Sequence, residues 1–160
     1  MKTLFPLILL LFIGCSSGTV KSDKAVETFF FHYTCDSGDE LNTFEGYLVK
    51  DLDFAGKRKV ECHISLDETA RVLAKLEEIH FFEMKSPYPS RPWSGDKPTW
   101  WPNKLLVVFG NQEVKYIEWD NYLSERSPAK ELHELREFLS SVIQNTTEWK
   151  SLPPRQGGAL

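Results

Sequence analysis

The side chains with the most chemical capability in the body of this 160-residue chain are Cys35, Cys62 and the histidines beside them. His32, Cys35, Cys62 and His63 together offer four soft or borderline donors of the kind zinc accepts. Their spacing argues against a metal. Neither cysteine belongs to a close Cys pair, and each histidine alternates away from or adjoins its cysteine rather than converging with it. The sequence predicts a Cys35–Cys62 disulfide, with two buried thiols as the alternative, and no metal. The predicted bridge closes a loop of about 27 residues and would add roughly 3 kcal/mol.

Two further patterns can be read as catalysis. Ser127-Pro128-Ala129-Lys130 matches Ser-x-x-Lys, in which a lysine one helical turn on activates a serine. The companion motifs are missing, so Ser127 is read as a helix N-cap with Pro128 at the first helical position. Asp51 with Asp53, and Glu77 with Glu78, are carboxylate pairs of the type that cleave glycosidic bonds, but nothing places them in a cleft. No Gly-rich phosphate loop, nucleophile elbow or His-Glu-x-x-His occurs, so no catalytic residue is assigned and no cofactor is expected.

The stretch from Lys85 to Lys104 carries five of the chain's nine prolines and three of its five tryptophans, with a local charge of +3. Flat rings beside cations stack on sugars, take up partner prolines or meet lipid headgroups. Two readings stay open: the rings fold back to cover the sheet, or they form a binding surface. On the binding reading Arg91, Trp93, Trp100 and Trp101 carry it.

The N-terminus supplies an address. Met1-Lys2-Thr3 precedes an apolar run from Leu4 to Ile13, too short to span a bilayer, where about 20 residues are needed. The run ends in Phe12-Ile13-Gly14-Cys15, followed by Ser16-Ser17-Gly18. This resembles the lipobox of bacterial lipoproteins, and only this end of the chain carries the resemblance. It implies a signal peptide over 1–14, cleavage before Cys15, diacylglycerol and fatty acyl groups such as palmitate on Cys15, and a place in the cell envelope. Where the source has two membranes, Ser16 resembles the pattern directed to the outer membrane, facing the periplasm or exterior. Residues 15–24 read as anchor and flexible tether, 25–149 as one domain and 150–160 as coil.

The elements that must position these residues follow from periodicity. Composition sets the frame: 41% hydrophobic and 26% charged residues suit one globular domain, and 19 basic against 23 acidic side chains argue against a nucleic-acid partner. Phe29, Phe31, Tyr33 and Cys35 alternate onto one face of a strand over 26–35. Segments 44–54 and 57–64 read as a hairpin around Ala55-Gly56, pairing Asp53 with Arg58 and Lys50 with Glu61. Ser65 and Glu68 form a capping box before a helix with Leu66, Ala70, Leu73, Leu76 and His80 at helical spacing, and with an Asp67–Arg71 pair outside. Gly110-Asn111 joins strands over 104–109 and 112–119, and Leu132, Leu135, Leu139, Val142 and Ile143 form one stripe of a last helix. The order βββαββα predicts an α+β fold of two layers, an antiparallel sheet with two helices packed on one face.

The function expected is a lipid-anchored, non-catalytic binding or accessory module, acting through the aromatic loop or an exposed sheet face on an envelope protein or glycan. A small envelope hydrolase with a site assembled from distant residues is the alternative. Replacing Cys15 with Ser, or treating cells with globomycin, should alter processing and release the chain from membranes. Unchanged membrane fractionation of the Cys15→Ser chain would overturn the anchor.

Overall fold

The computed structural model describes residues 28–85, 102–109, 112–119 and 129–157. Six strands form one antiparallel sheet: β1 (Phe29–Thr34), β2 (Glu40–Asn42), β3 (Tyr47–Asp51), β4 (Lys57–Glu61), β5 (Asn103–Phe109) and β6 (Gln112–Trp119). Their order across the sheet is β4-β3-β2-β1-β5-β6. Helices α1 (Leu66–Glu78), α2 (Ala129–Asn145) and the short α3 (Thr147–Ser151) complete the fold. It is the two-layer α+β arrangement that the sequence predicts, with one more short strand.

β1 lies near the centre, and its alternation organises the layers. Phe29, Phe31 and Tyr33 are buried on the helix side, where they meet Leu105, Val107, Ile117 and Trp119 of β5 and β6. Tyr33 stacks on Trp119 with ring centroids 6.2 Å apart. All five apolar residues predicted for the last helix, Leu132, Leu135, Leu139, Val142 and Ile143, are buried in this core. Spacing at i, i+3 and i+4 puts them on one face, and that face meets the sheet.

Helix α1 follows its predicted cap but not its whole predicted stripe. The Ser65 hydroxyl accepts the Glu68 N–H at 3.1 Å. Thr69, Val72, Leu73 and Leu76 are the buried positions, while Leu66 stands 62% exposed. Its place in the first turn lifts it away from the sheet. His80 lies past the helix end with φ 54°, the left-handed stop that commonly ends a helix, so it cannot continue the stripe. Arg71 pairs with Glu68 at 2.7 Å rather than with Asp67.

Three further expectations are corrected. First, β2 is absent from the sequence reading: three residues are too few to display an alternation. Second, β3 and β4 pair Lys50 with Arg58 and Asp51 with Lys57, a register three residues from the predicted one. Residues 53–55 form a 3₁₀ turn, and Asp53 takes φ 55°, so five residues rather than two make the connection and Asp53 does not share a strand face with Asp51. Third, Cys35 and Cys62 are free thiols. Both are buried on the apolar side, but β1 and β4 are three strand spacings apart, about 14 Å. The register also sets Cys62 level with Phe31, through the bonds Cys62 N–H to Gly46 O and Thr43 N–H to Phe31 O. A disulfide needs Cα atoms within about 7 Å, so this topology forbids the bridge.

The far end of the sheet is fastened by buried charge. The Asp39 carboxylate accepts the Asp51 N–H at 2.9 Å, the Ser37 hydroxyl at 3.0 Å and the Arg155 guanidinium at 2.5 Å. It thereby joins the β1–β2 turn, the end of β3 and the C-terminal tail. Gly38 in that turn has φ 85°, and a Cβ there would lie 2.6 Å from an Asp51 carboxylate oxygen, so only glycine fits. Lys50 is buried beneath α3, its Nζ donating to the carbonyls of Trp149 and Leu152 and lying 4.4 Å from the Trp149 ring centroid.

The burial pattern separates two leucines that sequence spacing treats alike. Leu135→Ala should cost about 2–5 kcal/mol, whereas Leu66→Ala should stay within about 0.5 kcal/mol. Urea denaturation of both variants checks this; equal losses would contradict the packing.

Candidate functional site

The sheet has a second face, and among the described residues no helix packs on it. Alternation places Phe30, His32 and Thr34 of β1 there, beside Glu40 and Asn42, Tyr47 and Val49, Leu106 and Val108, and Tyr116. Phe44, in the β2–β3 turn, sets its ring edge-on to Phe30 at 5.8 Å and remains 58% exposed. Next to these rings is a depression of about 420 Å³, lined by His32, Asn42, Phe44, Glu45, Leu106 and Val108. A second, of about 380 Å³, is lined by Glu45, Tyr47, Lys59, Glu61 and His63. Glu45 borders both.

A closed polar network forms one wall. The Glu40 carboxylate accepts the Tyr47 hydroxyl at 2.5 Å and the His32 Nε2–H at 2.7 Å through the same oxygen. Asn42 Oδ1 accepts the Glu45 N–H at 2.9 Å, holding the turn that presents Phe44. Lys59 places its ammonium 3.3 Å from the Tyr47 ring centroid. Burial, and then the hydrogen bond to Glu40, raise the Tyr47 hydroxyl above its ordinary pKa. On β6, burial and the acceptor Glu118 push Tyr116 up to about 12. These hydroxyls are therefore neutral donors at physiological pH.

The described residues of this face offer apolar surface and engaged polar groups, the means of recognition. His32 beside Glu40 has the form of a base and its orienting carboxylate. However, no free hydroxyl or thiol adjoins it among the described lining residues: Thr43 Oγ1 accepts the Phe31 N–H at 2.8 Å and donates to the Phe31 carbonyl at 3.0 Å.

At the opposite end of the molecule, a crevice of about 270 Å³ gathers Cys35, Ser37, Asp39, Arg136, Ser140 and Arg155. Cys35 Sγ lies 2.7 Å from Ser37 Oγ, which donates to Asp39. This thiol–hydroxyl–carboxylate chain does not activate the cysteine, because burial pushes the Cys35 thiol up rather than down. Cys62 is likewise pushed up to about 11 by burial and by the neighbouring Glu148 carboxylate.

The structure does not assemble the other sequence candidates. His32, Cys35, Cys62 and His63 are dispersed, His32 bonded to Glu40 and His63 to Glu61. Lys130 faces Glu134 at 3.6 Å, and its motif partner Ser127 lies outside the described residues. Asp51 accepts the Asp53 N–H, and Glu78 pairs with Lys75 on the outside of α1. Cys15, Arg91, Trp93, Trp100 and Trp101 also lie outside the described residues. Sequence reasoning assigned no role to Phe44, Asn42, Leu106 or Val108. The signal that could have found them is the unbroken run Leu105-Leu106-Val107-Val108, apolar on both faces of its strand.

The thiol environments predict a pH response with a definite sign. Between pH 9 and about 11 the unfolded chain releases a proton that folded Cys62 keeps, so the stability it contributes is present below pH 9 and is lost as pH rises through that window. In native protein at pH 8, iodoacetamide should spare Cys35 and Cys62, and in urea it should label both, as read by peptide mass. Rapid native labelling of either would contradict their burial. Comparison with protein-family models, curated proteins and solved structures finds no match.

Proposed function

We propose that this protein is a lipid-anchored, non-catalytic binding module of the bacterial cell envelope, which captures its partner on the sheet face opposite the described helices. The observation that carries the reading is the aromatic depression around Phe44 on a face that no helix covers among the described residues. Exposed apolar area of this kind on a folded domain usually marks an interaction site. The lipobox resemblance at Cys15 supports the anchor. The chain enters β1 at Phe29, at the end of the sheet where Phe44 also sits.

The pair His32–Glu40 is the observation on the side of a hydrolase. Without an accompanying nucleophile among the described lining residues it supports recognition instead, as a rigid polar wall with both partners engaged.

Photo-crosslinking in intact cells tests the proposal. With benzoylphenylalanine at position 44 or 106, discrete adducts should form. With the same group at position 54, where Phe54 is 92% exposed at the opposite end, or at His133 on α2, they should not. Equal labelling from all four positions, or none from 44 and 106, would overturn the sheet face as the binding surface.

A further inference from the structure

We infer that the segment received by this face joins an apolar side chain to a cation, as a peptide bearing an aromatic residue next to arginine or lysine does. The inference rests on the binding reading above and names the chemistry of the occupant. Its apolar half follows from the walls of the larger depression, where Phe44, Leu106 and Val108 supply the non-polar surface. Its charged half follows from the rim. Among the described residues two carboxylates, those of Glu45 and Glu61, line it against one ammonium, that of Lys59, and Glu40 stands beside them bonded to Tyr47 and His32. That ammonium is directed over the Tyr47 ring, and the histidines His32 and His63 spend Nε2 on Glu40 and Glu61. Glu45 has no ion-pair partner among the described residues and borders both depressions, so one occupant can fill the larger and direct its charge to Glu45 and Glu61 in the smaller. A second copy of this chain would bring the same acidic excess to the contact and be repelled, and an anionic lipid surface would be repelled for the same reason. A cationic, aromatic segment meets complementary charge and finds burial for its ring.

The test uses two photoreactive dipeptide amides, N-acetyl-Arg-benzoylphenylalanine and N-acetyl-Glu-benzoylphenylalanine, irradiated with the full chain in lipid nanodiscs. Adducts are located by peptide mass spectrometry. The arginine probe should label the peptides holding Phe44–Glu45 and Leu106–Val108 about threefold more than the glutamate probe, the scale of a partly exposed ion pair. The Glu45→Gln, Glu61→Gln double variant, checked for an unchanged melting temperature, should bring the two probes level. Equal labelling of the unaltered face by both probes would overturn the cation requirement while leaving the binding face intact. Absence of labelling by either would overturn the binding face itself. A chain-to-chain adduct from benzoylphenylalanine at position 44 in the purified protein would assign the face to a second copy and overturn the peptide.

Discussion

A six-stranded sheet has two faces, and the helices described in this chain cover one of them. β1 sits inside the sheet with β2 on one side and β5 on the other, so every second residue along it commits to one layer or the other. Phe29, Phe31 and Tyr33 take the helix layer and are fully enclosed, while Phe30, His32 and Thr34 take the opposite face and stay half-buried. From that division come both the packed core and the aromatic depression. The same strand that anchors stability also sets the wall of the candidate binding surface.

Among the described residues, hydrogen bonds rather than a second layer of helices hold the other face in shape. Glu40, Tyr47, His32 and Asn42 restrain one another, and Asn42 fixes the turn that carries Phe44. A restrained surface loses little side-chain freedom when it meets a partner, which favours affinity without requiring large area. The far end of the domain uses charge differently. There Asp39 and Lys50 are enclosed with their donors and acceptors in place, and they secure turns and tail rather than a ligand.

What the sequence could reveal depended on the range of the interactions involved. The α2 stripe was legible because five leucine, valine and isoleucine positions repeat at helical spacing and enter one core. β1 was legible because Phe29, Phe31, Tyr33 and Cys35 fall on one phase of a two-residue period. The β3–β4 register was not, because opposite charges such as Asp53 and Arg58 suggest pairs that a left-handed residue in the turn prevents. The disulfide failed for a longer-range reason. Cys35 and Cys62 each follow a strand on the apolar phase, but whether they meet depends on the order of strands, which inserts β2 and β3 between them. The candidate face was hidden because its most exposed ring lies in a turn and its floor comes from strands distant in the chain.

The clasp between Asp39 and Arg155 bears on how this domain reaches its final form. The two residues are 116 positions apart, so a ribosome produces the carboxylate long before its cation. Until Arg155 is free, the turn around Gly38 must keep Asp39 hydrated or leave an enclosed charge without its counterion. Closure of the sheet's far end therefore waits on a residue made 116 positions later, and the growing chain stays looser there than at the end that carries Phe44.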